Sequence, residues 1–278
     1  MADIPAIALN DGNSIPQIGY GVWEVPDDTV PRTIAAAVEA GYRSIDTAQG
    51  YDNEEGVGRG IAQCGLPREQ LFITSKMRTR DQGYESTLKS CMGSLERLGL
   101  DYLDLFLIHW PVPAHDRYSE TWKAFVQLQR DGRIRSIGVS NFLPEHLERI
   151  IGDSGVTPAI NQIELHPEFQ QRATRDFHQR HDIATECYSP LGRGTSLDNG
   201  VIKAIAAKHG KTPAQAILRW HIQQGLVVIP KSTHAERIRE NIDIFDFALD
   251  DADMTSIADL DRPDGKMLPD PAENNDLW

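Results

Sequence analysis

Cysteine is scarce in this 278-residue chain: Cys64, Cys91 and Cys187 are odd in number and never at metal-ligand spacing from one another. Such usage argues against a disulfide framework and predicts reduced thiols in a reducing compartment, hence a cytoplasmic protein. Positive charge is also in short supply. Asp and Glu number 41 against 28 Lys and Arg, a formal charge of −13 with histidines neutral. Nucleic acids and anionic membranes are bound through clustered Lys and Arg, so neither partner is expected. No apolar run approaches the roughly 20 residues that span a bilayer, and the opening MADIPAIALND has no basic stretch followed by a long apolar one, so no secretory signal is expected.

Motifs of several chemistries are missing too. There is no His-Glu-x-x-His, no His-x-His after a strand-like run and no Walker-type loop, so no metal site is expected. Gly56-Val57-Gly58-Arg59-Gly60 lacks the third glycine of a dinucleotide fingerprint and follows no strand, so it reads as helix surface. Gly138-Val139-Ser140 begins like a nucleophile elbow, but Phe142 stands where the closing glycine belongs. His178 and His181, three apart on a helical stretch, read as surface imidazoles.

What is present is an ordinary globular composition, 40% hydrophobic and 25% charged. A chain this long buries roughly three-quarters of its unfolded surface without metal or disulfide. Strand-like runs start near Ser44, Leu71, Asp104, Ile134, Ala159, Ile183, Leu226 and Asp243, and helical patterns separate them. Strands alternating with helices at this spacing indicate βα units and a parallel sheet. Runs such as LFLI and LVVI are apolar on both faces, as in a sheet covered on each side. Eight units predict an α/β fold, a (β/α)₈ TIM barrel occupying residues 1–278 as one domain, with a doubly wound open sheet as the rival. The last interval, the shortest, is the weakest point of the count.

Two helices, at 199–209 and 213–224, fill the widest interval. The second opens with Thr212-Pro213-Ala214-Gln215, a capping box with proline at the first helical position. Thr233-His234-Ala235-Glu236 reads as another capping box. Ahead of the first unit, AIALNDGNSIPQIG predicts a β-hairpin turning at Asp11-Gly12, placed to plug the barrel bottom. The tail from Arg262, rich in Pro, Asp and Asn, predicts loop.

In such barrels chemistry gathers at the C-terminal strand ends. The first three units end in Asp46, Lys76 and His109, and Tyr51 lies in the loop after the first. Each alone has a plain reading: a cap for Asp46, a rim charge for Lys76, a packed ring for Tyr51. Together they are what carbonyl reduction needs. Hydride arriving at carbon leaves charge on oxygen, which must be protonated from hydrogen-bond reach. A phenol near pKa 10 is a reluctant acid, and a neighbouring ammonium is expected to lower that value. Asp46 would hold Lys76 charged, and His109 would orient the carbonyl.

The chain is similar here to the aldo-keto reductases. The resemblance is carried by Gly21-Val22-Trp23, by Gly41-Tyr42-Arg43-Ser44-Ile45-Asp46-Thr47-Ala48-Gln49-Gly50-Tyr51 with Asn53-Glu54, and by Lys76. It continues through Leu107-Ile108-His109-Trp110-Pro111, Gly138-Val139-Ser140-Asn141-Phe142, Asn161-Gln162, Pro190-Leu191-Gly192, Ile229-Pro230-Lys231-Ser232 and Glu240-Asn241. In LNDGNSIPQ, GYGV, NQIELHP and HGKTPAQA it most resembles bacterial 2,5-diketo-D-gluconate reductases.

The resemblance implies a monomeric NADPH-dependent barrel with Tyr51 as general acid, Lys76 and Asp46 as its tuning pair and His109 as orienting group. It implies that Gly21 and Val22 border the cofactor, that Ser140, Asn141 and Gln162 hold the nicotinamide amide, and that Tyr188 stacks on the ring. Pro190, Leu191, Gly192 and Arg193 fall on the cofactor loop. Lys231, Ser232, Thr233 and Arg237 fall where the family grips the 2′-phosphate, with Glu240 and Asn241 near the adenine. Cations around a helix start make a ready anion site, which favours NADPH over NADH. Trp23 and Trp110 would wall the substrate beside Tyr51 and His109.

Two departures bear on substrate. Arg193 replaces a common Gln and either reaches the pyrophosphate or is solvated. Arg78 replaces a common aromatic two residues after Lys76; Arg78 and Arg80 either attract an anionic substrate or are rim charges. The expected reaction is NADPH-dependent reduction of aldehydes or ketones (dicarbonyls, keto acids or esters, 2,5-diketo-D-gluconate among them). Its rivals are a Schiff-base lyase on Lys76 and a noncatalytic NADPH-binding subunit. The substrate depends on the loops at 78–84 and 112–117 and on the tail, whose conformations the sequence leaves open.

Overall fold

Residues 4–278 are described by the computed structural model. The chain opens with a hairpin, β1 (Ala6–Ala8) paired antiparallel with β2 (Ser14–Pro16). Its turn closes where Asp11 Oδ1 accepts from Asn13 N at 3.1 Å and Gly12 takes a left-handed φ of 88°, a conformation natural to glycine. Eight strands then form one parallel sheet: β3 (Tyr20–Gly21), β4 (Ser44–Asp46), β5 (Phe72–Met77), β6 (Leu103–Ile108), β7 (Ile134–Ser140), β8 (Ile160–Glu164), β9 (Ala184–Tyr188) and β10 (Val227–Val228). Each strand pairs with its neighbour in chain order. A parallel bridge from Ile18 to Val228, with Gly19 N donating to Val228 O at 2.8 Å, joins the two ends of the sheet. The sheet is therefore a (β/α)₈ barrel, not an open doubly wound sheet.

The helices that cover it are α1 (Val30–Ala40), α2 (Glu54–Gln63), α3 (Tyr84–Leu98), α4 (Tyr118–Arg130), α5 (Pro144–Ser154), α6 (Arg172–Arg180), α7 (Gly200–His209), α8 (Pro213–Gln223), α9 (Ala235–Ile242) and α10 (Asp251–Ala258). Both helices expected in the widest interval are present, between β9 and β10. The capping box of α8 forms: Thr212 Oγ1 accepts from Gln215 N and Gln215 Oε1 from Thr212 N. The tail from Arg262 is loop.

Alternation along the strands divides the core. Leu105, Leu107, Phe72, Ile160 and Val227 pack inside the ring against Leu9 and Ile15 of the hairpin. Asn13 Nδ2 fixes the hairpin by donating to Arg135 O at 3.2 Å, and Asn10 Nδ2 to Pro158 O at 3.0 Å. The hairpin thus plugs the N-terminal end and leaves the other end for chemistry. Between Leu105 and Leu107, Phe106 turns outward and stacks on Phe125 of α4 at 5.0 Å.

Four expectations need correction. The segment after Asp243 is turn and irregular chain; β10 already bonds β9 on one side and Ile18 on the other, so no edge remains for it. The missing strand is Tyr20–Gly21, ahead of the first expected unit. Thr233 does not cap α9: His234 stands at the cap, and Ser232 Oγ accepts from His234 N at 3.1 Å while Tyr20 Oη donates to Ser232 O. The glycines of α2 serve packing rather than surface, since a Cβ on Gly58 would lie 2.5 Å from Leu98 O. His178 is fully buried, with Asn161 Nδ2 on Nε2 at 2.9 Å and Thr185 Oγ1 on Nδ1 at 2.8 Å.

Candidate active site

Strand ends bring the four expected groups together. Asp46 closes β4, Lys76 lies one residue from the end of β5, and His109 follows β6. Tyr51 ends a short 3₁₀ turn, Gln49–Tyr51, directly after β4. That turn is tied down by Gln49, whose Nε2 donates to Ser94 Oγ at 2.7 Å while its Oε1 accepts from Arg78 N at 2.9 Å. Asn53, at the start of α2, ties that segment down by donating from Nδ2 to Val22 O and Val25 O. Rigid support of this kind holds a reacting side chain to one position.

Lys76 is fully buried. Its Nζ donates to Asp46 Oδ1 at 2.5 Å, to Thr47 O at 2.9 Å and to Tyr51 Oη at 3.2 Å. Burial works against the ammonium, but the charge of Asp46 and its neighbours prevails and holds the lysine above its ordinary value. Because Tyr51 Oη accepts from the ammonium, its own proton is left to donate elsewhere. Burial raises the Tyr51 pKa, against the pull of Lys76 and with a contribution from Asp46. Lys76 thus lowers the value as expected, but burial of the hydroxyl outweighs it, with Asp46 adding to the rise. His109 is kept neutral by burial and by Lys76. Its Nδ1 has no hydrogen-bond partner among the described residues, and its ring meets Tyr51 edge-on at 5.8 Å.

A second group sits on the next three strands. Ser140 Oγ donates to Gln162 O at 2.8 Å, and Asn141 Nδ2 to His109 O at 3.0 Å. Tyr188 Oη donates to Asn141 Oδ1 at 2.6 Å. Gln162 Nε2 donates to Asp46 Oδ2 at 2.9 Å and to Glu186 Oε2 at 2.8 Å. Ser140, Asn141, Gln162 and Tyr188 are thus one hydrogen-bonded wall beside the tetrad. Beyond them, Pro190 and Leu191 lead into a loop where Gly192, Arg193 and Gly194 all take left-handed φ. The Arg193 guanidinium lies 4.6 Å from the Trp23 ring centroid.

On the other side of the mouth, Gly21 N donates to Pro230 O at 3.1 Å and buried Val22 donates to Asp46 O. These bonds bring the first strand against Lys231 and Ser232. Lys231, Thr233 and Arg237 are exposed, and neither cation has a carboxylate partner among the described residues. Asn241 is buried. Glu240 accepts from Thr212 Oγ1 at 2.7 Å, which commits its carboxylate to α8.

The His109 side of the mouth holds what the sequence did not reveal. Trp278, the last residue, stands 4.8 Å edge-on from His109 and lies over Gly50, where a Cβ would collide with its ring. Thr79 holds it there, its Oγ1 accepting from Trp278 N at 2.9 Å and donating to Asp276 O at 2.9 Å. Trp110 is buried and Trp23 exposed. Arg78 is paired with Asp52. Glu186 is the other residue missed, although an acid inside the buried run Thr185-Glu186-Cys187 was a usable signal. A separate cavity of about 800 Å³, lined by Arg172, Arg175, Trp220 and Met254 among others, carries none of these groups.

The Aldo/keto reductase family profile matches residues 16–262. An aldo-keto reductase of Mycolicibacterium smegmatis is 56% identical over 98% of both chains. Methylglyoxal reductase DkgA of Escherichia coli is 50% identical, again over 98% of each. Among solved structures, a point mutant of Gox0644 in complex with NADPH superposes with a TM-score of 0.95 at 50% identity, covering 98% of this chain and 99% of that one. With a barrel of this order and a profile match over most of its length, the chain belongs to the aldo/keto reductase family.

Proposed function

We propose that this chain, acting as a single domain, reduces small aldehydes and ketones with NADPH, and that Asp46, Tyr51, Lys76 and His109 carry the proton chemistry. The observation that supports it best is the Lys76 ammonium bonded at once to Asp46 Oδ1 and Tyr51 Oη. NADPH, when bound, supplies the hydride. The residues present fit such a group. Gln162 commits both amide protons to carboxyls, which leaves Oε1 as an acceptor for an amide N–H. Ser140 and Asn141 flank it, and the Tyr188 ring offers a face. Gly21, Val22 and the loop of Pro190, Leu191, Gly192 and Arg193 would border the cofactor's middle. Lys231 and Arg237, cations without ion-pair partners among the described residues, suit a terminal phosphate, with Ser232 and Thr233 adding hydroxyls, and Glu240 and Asn241 nearby.

Tyr51 donates its proton to the substrate oxygen as charge develops there. Lys76 stabilises the phenolate left behind, and Asp46 keeps Lys76 charged and aimed. Neutral His109 donates one hydrogen bond to the carbonyl and so fixes its orientation. Trp23, Trp110 and Trp278 exclude water from the reacting carbon.

The substrate class rests on size and on the relatives. The Trp278 indole against His109, with buried Trp110 next in the chain, suits a small carbonyl compound, and a 50% identical relative is named for methylglyoxal. Arg78 pairs at the rim with the exposed Asp52, which favours the rim-charge reading over attraction of an anionic substrate. The test is NADPH consumption over a panel of methylglyoxal, keto esters, aldehydes and 2,5-diketo-D-gluconate, with NADH in parallel. Turnover with NADPH, favouring small dicarbonyls, is expected. Binding of NADPH without turnover on any member would move the chain to a noncatalytic role.

A further inference from the structure

Behind the tetrad lies a second buried carboxyl that the proton chemistry does not use. Glu186, in the middle of β9, is wholly shielded from solvent. Its Oε2 accepts from Gln162 Nε2 at 2.8 Å, and its Oε1 has no partner among the described residues. The same Nε2 gives its other proton to Asp46 Oδ2 at 2.9 Å, and the other oxygen of Asp46 takes Lys76 Nζ at 2.5 Å. Lys76, Asp46, Gln162 and Glu186 therefore form one chain of hydrogen bonds through the barrel. An amide nitrogen has only two protons. Both are spent on carboxyls, so the side-chain oxygen of Gln162 is the group left for a ligand.

We propose that Glu186 is a positioning residue: held as a neutral carboxyl, it locks the Gln162 amide with its oxygen free for the cofactor amide, and leaves Asp46 as the one negative charge against Lys76. The role rests on the reductase reading; the protonation state does not. The charged and titratable groups around Glu186 are Asp46 from β4, Lys76 from β5, Tyr51 from the 3₁₀ turn and Cys187 next in its own strand. Its register partners, Gln162 on β8 and Val227 on β10, carry no charge. Burial and the nearby Asp46 push the Glu186 carboxyl up to about 8, against the pull of Gln162 and Lys76. Two ionised carboxylates sharing one ammonium would leave an unbalanced buried charge, and protonation of one of them relieves it. Above that value Glu186 ionises, and the added charge works against the arrangement.

The test uses the full chain with two variants, Glu186→Gln and Glu186→Leu. Infrared spectra of the chain without cofactor should show a protonated-carboxyl band at pH 7 that fades through about 8 and is missing from both variants. NADP⁺ affinity, read by quenching of tryptophan fluorescence, should weaken about tenfold at pH 7 in Glu186→Leu, the worth of one buried acceptor. Glu186→Gln keeps a carbonyl acceptor, so it should recover most of that affinity and lose the alkaline weakening of the wild type. A Glu186→Leu chain that binds as the wild type does, a Glu186→Gln chain that keeps the alkaline limb, or no Glu186-dependent band at pH 7 would overturn the proposal. If the wild type itself binds no NADP⁺, the reductase reading fails and takes the positioning role with it.

Discussion

Replacing Lys76 with methionine removes the ammonium from a pair in which both groups are all but inaccessible: the lysine side chain is 0% and the aspartate 2% exposed. Asp46 would keep only Gln162 Nε2 as donor, and Thr47 O would lose its partner. Breaking a buried pair from one side costs about 3–5 kcal/mol, because the remaining charge is unbalanced. The expected loss is therefore about 4 kcal/mol in urea unfolding at pH 7. Asp46→Asn alone should lose a comparable amount, and the double variant should recover about half of the summed loss while activity stays lost. Single losses under about 1 kcal/mol that simply add would refute a mutually dependent buried pair.

Three further outcomes follow from the packing. His166 is buried between Glu164 and Glu168, with Glu164 also receiving Met267 N and Leu268 N; despite burial, its two carboxylate partners raise its pKa from 6.5. Its contribution is thus full below 6.5 and lost as pH rises through the folded value, so melting curves of the wild type should fall with alkaline pH relative to His166→Gln. A pH-independent difference would contradict this. Gly58→Ala should cost about 1–3 kcal/mol by driving Cβ into Leu98 O, whereas Gly152→Ala, with open space around it, should add up to about 1 kcal/mol; equal effects would sink the distinction. Trp278→Ala should raise KM for the carbonyl substrate several-fold and leave NADPH binding nearly unchanged, as steady-state kinetics and fluorescence titration would show.

Much of this molecule was legible because its signals are local. The runs at Ser44, Leu71 and Asp104 end in Asp46, Lys76 and His109, and strand direction alone carries those three to one mouth. Thr212 and Gln215 announce their cap within four residues. What stayed hidden depends on distant partners. Tyr20–Gly21 is two residues long and becomes a strand only because Ser44–Asp46 lies beside it and Ile18 meets Val228. The run after Asp243 has strand character, but the closed ring offers it no edge. Nothing near Trp278 says that Thr79, almost two hundred positions earlier, will hold it over Gly50. For Tyr51, spacing gives the attraction of a neighbouring ammonium but not the depth of burial that outweighs it.

The most direct test of the account is the pair Tyr51→Phe and wild type, compared in single-turnover reduction of methylglyoxal and in NADPH affinity. The phenylalanine keeps the ring against His109 and removes only the hydroxyl that Lys76 Nζ touches. Loss of the acid should lower the chemical step about 10²–10⁴-fold with cofactor affinity nearly intact. A variant that keeps most of the wild-type rate, with chemistry shown to limit it, would contradict the assignment of Tyr51 as the proton donor.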